Sequence, residues 1–540
     1  MHIVDYLVII GYLGLVVFLG VHFSKRQKDT DRYYKGGRQI PAWAIGMSIL
    51  ATLISSITFL AYPGAGFQGQ WVLLVQGLMV PIVLLGLIWF IVPMYRKVIG
   101  LSAYEYFERR FGFLGRLYGS VAFCFAHFTK MGTVFYLLAL ALATMTGLDK
   151  AIPGGTYWFI VVLGILVIIY TLLGGIEAVV WCDVVQGFML VLGGLICVSV
   201  LFFTPEGGPA AVVSKAWANN KINLGPYNWD LTIKGFWVLA INGIFYAIQK
   251  YGTDQTIVQR FLLSKTNKGA IKAALMGALL CVPIWTLFMF IGSCLWSFYD
   301  TSTAPVLTNL SPEQALPAGL TGDKVFPHFI MAQLPLGITG LILAALCAAA
   351  LSSLDSDLNC LSAIGVEDYY RRAKPNSTDQ QRLRAGRIIV AVCGVFAVLI
   401  ACAYVKMGGQ AILGTVFALY AIFSGGIAGL FILAFFTKRA NKQGLYVGIV
   451  ACVLFTAYSI LTSQKFDLGG EEKELILDMG RWNFKHHMLM LQVYSNVVLF
   501  GVGYVASFFF QQKKDITGLT FYDWRKRKHR EEAEAAQETE

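Results

Sequence analysis

Apolar stretches of about 20 residues, each long enough to cross the hydrocarbon core of a bilayer as a helix, recur from Ile3 to about Phe510 with only short polar interruptions. Nothing else in the chain constrains its fold as strongly. Of 540 residues 57% are apolar and 14% charged, roughly half the charge of an ordinary soluble domain, so a bilayer is the solvent this composition suits. The sequence predicts an all-α polytopic membrane protein, with one transmembrane domain over residues 1–511 and a cytoplasmic tail over 512–540. The first stretch, Ile3 to Phe23, has no basic residue before it and no small-x-small site after it, and reads as a retained span. The ten cysteines are scattered singly in apolar runs, as at Cys197, Cys281 and Cys402, with no CxxC pair. They read as reduced core residues, neither metal ligands nor a disulfide frame.

Thirteen spans are predicted, at 3–23, 40–63, 71–95, 117–146, 156–173, 183–203, 236–259, 273–298, 335–365, 388–405, 410–437, 443–461 and 487–511. An odd number puts the termini on opposite sides. With the N-terminus outside, the inner loops and tail hold 31 of the 43 Lys and Arg and the outer loops 10, leaving Lys130 and Lys250 within spans. That asymmetry predicts an N-out, C-in orientation, and it accounts for the net charge of +12 without a nucleic-acid partner. The basic tail WRKRKHR (Trp524 to Arg530) reads as an inner anchor, and the acidic run after it as a disordered end.

Polar groups inside spans are costly in lipid and mark function. The second span, ILATLISSITFLAYPGAG, carries Thr52, Ser55, Ser56 and Thr58 before Pro63 and two glycines. Such a segment suits a helix that unwinds midway and frees carbonyls for a cation. On a helical wheel the ninth span puts Leu351, Leu354, Leu358 and Leu361 on one face and Ala349, Ser352, Ser353, Ser356 and Asn359 on the other, with Asp355 and Asp357 at the edges of the polar face. Hydroxyls and carboxylates are hard oxygen ligands, so a sodium site fits this face. The alternative is serines packed against a neighbouring helix or bonded to their own backbone. Asp183 is read two ways, as an ion ligand or as the N-cap of the sixth span. Lys130, in mid-span, requires an anionic partner, either Asp355 or a negatively charged solute. Lys250, Asp254, Gln255, Gln259 and Arg260 crowd the seventh span beside a possible break at Gly252 and Thr253, and Arg260 is read as marking the inner membrane boundary. The two interrupted spans each open a set of five, residues 40–203 and 236–437, the pattern of an inverted repeat with its site at the repeat interface.

Taken in order, YYKGGRQIPAWAIGMS, SAYEYFERRF, YTLLGGIEAVVWCDVVQG, TDQTIVQRFL, SSLDSDLNCLS and SGGIAGLF resemble the motifs of the sodium:solute symporter family across nearly the whole chain. The resemblance implies a five-plus-five inverted-repeat fold of the LeuT type, with one extra helix before it and two after. It implies a first sodium site of Ala51, Ile54 and Ala349 carbonyls with Ser352 and Ser353 hydroxyls, and in some members a second from Asp183, Ser352, Asp355 and Ser356. Asp355 is a carboxylate where relatives carry Ser, Thr or Ala. The departure implies stronger cation binding, a proton in place of the second ion, or a pairing with Lys130. Solute contacts carry over to Ser55, Thr58, Gln76, Gly77, Lys130 and Gln249. Lys130 falls where sialic-acid carriers have a carboxylate-clamping Arg, and Gly77 where sugar carriers have a hydroxyl-binding Glu.

The expected function is sodium-driven import of a sugar or sugar acid such as sialic acid. Monocarboxylate or amino-acid symport and a transporter-fold sensor stand as alternatives. The bilayer, a small solute and sodium are the expected partners, with no obligate protein partner, and the expected place is a bacterial inner membrane. No catalytic constellation arises from the seven histidines and ten cysteines.

Overall fold

The computed structural model describes residues 2–205, 207–299, 316–317, 320, 322–406, 425–466, 474–511 and 514–537. Apart from one two-residue β-pair, Lys465–Phe466 against Glu474–Leu475, its regular structure is helical. We label the helices that build the fold α1 (Ile3–Ser24), α2 (Ala42–Leu53), α3 (Ser56–Gln68), α4 (Val72–Val98), α5 (Phe113–Thr146), α6 (Gly155–Phe203), α7 (Phe236–Gly252), α8 (Gln255–Phe261), α9 (Asn267–Tyr299), α10 (Ile338–Ile364), α11 (Asp379–Lys406), α12 (Ile427–Phe436), α13 (Lys442–Leu461), α14 (Met488–Ala506) and α15 (Phe521–Gln537). Among the described residues nine helices are long and apolar enough to cross a membrane, or ten if the bent pair α2–α3 is one span. Every predicted span overlaps one or more of the labelled helices, 410–437 through α12 alone. That span lies outside the described residues except for its end, which includes α12.

Burial sorts the helices into layers. In the apolar window of α10, 89% of residues are buried inside the protein, against 22% for α1 and 28% for α11. The centre of the molecule is therefore α10, packed by α1, α2, α5, α6 and α11. Its run Ala348, Ala349, Ala350, Ser352 and Ser353 lets neighbouring backbones come close.

Two predicted spans merge in α6. At 49 residues and about 1.5 Å per residue, it is more than twice the length of a bilayer core, so it cannot be one straight span. Gly175, at φ 56° and ψ −157°, interrupts it. Only glycine suits that backbone, and a Cβ there would lie 2.8 Å from the Tyr33 carbonyl oxygen. The loop expected between residues 173 and 183 is thus helical apart from one residue. Asp183 lies eight residues beyond the break and does not cap a helix, which corrects the N-cap reading.

Two further breaks matter for function. Between α2 and α3 the chain bends by 60° through extended backbone at Ile54 (φ −96°, ψ 112°) and Ser55 (φ −111°, ψ 176°). Between α7 and α8 it breaks at Thr253 and Asp254, where the Asp254 carboxylate caps α8 by accepting from Thr256 N–H at 2.9 Å. Both interruptions expected from the sequence are present. The tail differs from expectation: α15 continues into the acidic run, and Phe521 packs its ring on Phe90, Phe435 and Phe436.

Candidate functional site

The last carbonyls of any helix lack partners in the following turn, and at the end of α2 they meet the serine face of α10. Ser352 Oγ donates to the Ala51 carbonyl at 2.9 Å and lies 3.2 Å from that of Ala349. Ser353 Oγ reaches the Thr52 carbonyl at 3.5 Å. Ile54 is the residue at which extended backbone begins. Ala51, Ala349, Ser352 and Ser353 therefore converge at the first break, a cluster of neutral oxygens of the kind that replaces the hydration shell of an alkali cation.

One helical turn further along α10 the chemistry becomes ionic. Asp183 Oδ2 accepts from Ser48 Oγ at 2.5 Å and from Arg260 Nη2 at 3.0 Å. The same guanidinium donates to Ser356 Oγ at 2.7 Å, to Ser48 Oγ at 2.8 Å and to the Thr256 carbonyl at 2.6 Å. Arg260, expected from the sequence as a boundary residue, is fully buried and paired with Asp183 in the interior of the protein. It places a positive charge between Asp183 and Ser356. Asp355 accepts from the Tyr170 hydroxyl at 2.8 Å. The Oδ1 atoms of both Asp183 and Asp355 are buried without a hydrogen-bond partner among the described residues. Desolvated carboxylate oxygens of this kind call for a cation.

Lys130 does not pair with Asp355, contrary to one sequence expectation. Its Nζ lies 3.2 Å from Asp357. Asp357 also meets His127 Nδ1 at 2.7 Å, whose Nε2 lies 3.4 Å from Asp254, which in turn binds Lys250 at 2.5 Å. A chain of ionisable side chains thus runs from α5 through α10 to the second break. Sequence reasoning overlooked His127. The available signal was its spacing: three residues before Lys130 on the same helix, it shares that residue's face.

Of the residues expected to touch solute, Ser55 and Thr58 are buried at and just beyond the first break. Gln76 Nε2 donates to Asn242 Oδ1 at 3.0 Å, and Gln249 Oε1 accepts from Gln492 Nε2 at 2.7 Å. Gly77 lies beneath Trp285, whose ring would be 2.4 Å from any Cβ placed there. Its lack of a side chain is what admits the indole. A cavity of about 20 Å³, room for one water, is bordered by Tyr104, Phe123, His127, Gln249 and Asp254.

Broken helices whose ends face hydroxyls and buried carboxylates define a cation-coupled secondary transporter. The sodium:solute symporter family model matches residues 33–451. The sodium/sialic acid symporter NanT of Aliivibrio fischeri is 35% identical over 83% of this chain and 86% of its own length. The sodium/sialic acid symporter SiaT of Proteus mirabilis is 34% identical over 84% and 88%, and the sodium/glucose cotransporter of Vibrio parahaemolyticus 28% identical over 84% of each. Among solved structures, the substrate-bound outward-open state of a Na+-coupled sialic acid symporter superposes with a TM-score of 0.83, at 30% identity over 95% of this chain and all of that one. Mhp1, a nucleobase-cation-symport-1 family transporter, shares the fold at a TM-score of 0.57 and 15% identity over 88% of this chain and 92% of that one. The chain belongs to the sodium:solute symporter family, whose members are membrane transporters and not enzymes.

Proposed function

We propose that this protein imports a sugar acid of the sialic acid type together with sodium by alternating access. The observation that carries the coupling is the junction of α2 and α10, where Ser352 Oγ meets the Ala51 carbonyl at the helix break. Sodium at Ala51, Ile54, Ala349, Ser352 and Ser353 links one repeat to the other and completes the pocket. The solute class rests on the two sialic acid symporters among the relatives and on the cation at Lys130. Asp357 retains His127 as a partner, so a solute carboxylate can take Lys130 from it without stranding a buried charge. Ser55, Thr58, Gln76 and Gln249 supply the remaining contacts, with Gly77 shaping the wall through Trp285. Asp183, Asp355, Ser352 and Ser356 form a second cation site that Arg260 now enters.

The same reading gives thirteen spans over residues 1–511, N-terminus outside, with inverted repeats at 40–203 and 236–437, in a bacterial inner membrane. Uptake into proteoliposomes tests it, with a panel of sialic acid, hexoses, inositol, proline and lactate, in sodium or choline buffer. Sialic acid accumulates only with sodium, and uptake indifferent to sodium overturns the reading.

A further inference from the structure

Four amide side chains from three helices form one hydrogen-bonded row beside the pocket. Gln76 Nε2 on α4 donates to Asn242 Oδ1 on α7 at 3.0 Å, and Asn242 Nδ2 donates to Gln492 Oε1 on α14 at 3.1 Å. Gln492 Nε2 then donates back to Gln249 Oε1 on α7 at 2.7 Å. An amide can flip its N and O ends, so such a row has two possible directions. One contact removes the choice: Asn242 Nδ2 also donates to the Leu489 backbone carbonyl at 2.9 Å, and a carbonyl only accepts. With Asn242 oriented, every other amide follows. Gln76 is left to offer its carbonyl oxygen and Gln249 its NH2 group.

Asn242 is fully buried, so the row's anchor is shielded from water that would otherwise compete for it. Helix α14 is itself tied down, since Asn496 Nδ2 donates to the Gln492 carbonyl at 2.8 Å and Asn496 Oδ1 accepts from Gly429 N–H at 2.7 Å.

We propose that Asn242 and Gln492 are positioning residues for the solute: they fix the orientation of Gln76 and Gln249, so that the pocket presents an acceptor at one end of the row and a donor at the other, a match for the hydroxyl groups of a polyol-bearing solute. The proposal rests on the solute reading above. It gives α14, which lies outside both repeats, a part in specificity. The carboxylate end of the solute is left to Lys130, and the row reads the hydroxyl end.

The test compares wild type, Gln492→Leu, Gln492→Glu, Gln249→Ala and the double variant Gln249→Ala with Gln492→Leu in sodium-driven sialic acid uptake by proteoliposomes. Gln492→Leu raises KM about tenfold, the worth of roughly one hydrogen bond to the solute, with Vmax and the sodium concentration for half-activation near wild type. Gln492→Glu still accepts from Asn242 but turns the Gln249 amide around, and it gives the same rise should the leucine variant not fold. On the Gln249→Ala background Gln492→Leu adds nothing, because Gln492 acts through Gln249. A lowered Vmax at unchanged KM, or KM effects that multiply in the double variant, overturns the proposal. Wild-type protein that carries no sialic acid overturns the solute reading and this inference together. Transport with unchanged KM in the Gln492 variants overturns this inference alone.

Discussion

Asp357 holds Lys130 and His127 at once, and removing its charge leaves Lys130 without its carboxylate and His127 with Asp254 alone. Asp357→Asn is expected to cost about 3–5 kcal/mol of stability, the range for breaking a buried pair from one side. Thermal unfolding of the purified protein in detergent measures this, and an unchanged midpoint would discard the pair as a structural link. Ser352→Ala leaves the Ala51 and Ala349 carbonyls without their shared hydroxyl. It is expected to raise the sodium concentration for half-maximal uptake about tenfold, from the loss of one oxygen ligand, with little change in solute KM at saturating sodium. The serine face could be read from the sequence because helical periodicity alone collects Ser352, Ser353 and Ser356. The partner of Lys130 could not. A wheel sets Asp355 and Asp357 on opposite edges but has no absolute zero, and which edge turns toward α5 is decided by packing with distant helices. Arg260 escaped for a similar reason, since its partner Asp183 lies 77 residues earlier in the chain.

At the level of elements, Ser55 and Ser56 announced the break after α2 and Gly252 with Thr253 the one after α7, the hydroxyls by competing for backbone bonds and the glycine by its backbone freedom. The joining of two spans in α6 carried no such signal. Its polar interruption, Gly174 to Glu177, resembles a loop in sequence, and in the fold Glu177 is bound by Arg32 at 3.0 Å and by Gln27 at 3.0 Å. Only Gly175 departs from helical backbone. Gly175→Ala is expected to lose about 2 kcal/mol or more, combining the penalty of left-handed backbone with a clash against a carbonyl that cannot rotate away. The yield of monodisperse protein and its unfolding midpoint report it, and a fully stable variant would show that the break tolerates a side chain.

For the molecule as a whole, the loop charges make a prediction about sidedness. Trp229→Cys, in the segment before α7, is expected to react with a membrane-impermeant maleimide in intact cells, and Lys374→Cys, between α10 and α11, only after permeabilisation. The reverse pattern would invert the assigned topology. The all-helical architecture was legible because the length and spacing of apolar spans are properties a single sequence carries. The ion count was not, because it depends on side chains that meet only in the folded protein. The position of Arg260 between Asp183 and Ser356 has an electrical consequence. On the proposed function, a guanidinium that stays there leaves room for one sodium per anionic solute, so the cycle would carry no net current and the membrane voltage would contribute nothing to accumulation. A second sodium that displaces the arginine would make each cycle carry one positive charge inward, adding about 2.3 kcal/mol for every 100 mV. Current recorded during uptake would therefore report directly on where one arginine side chain rests.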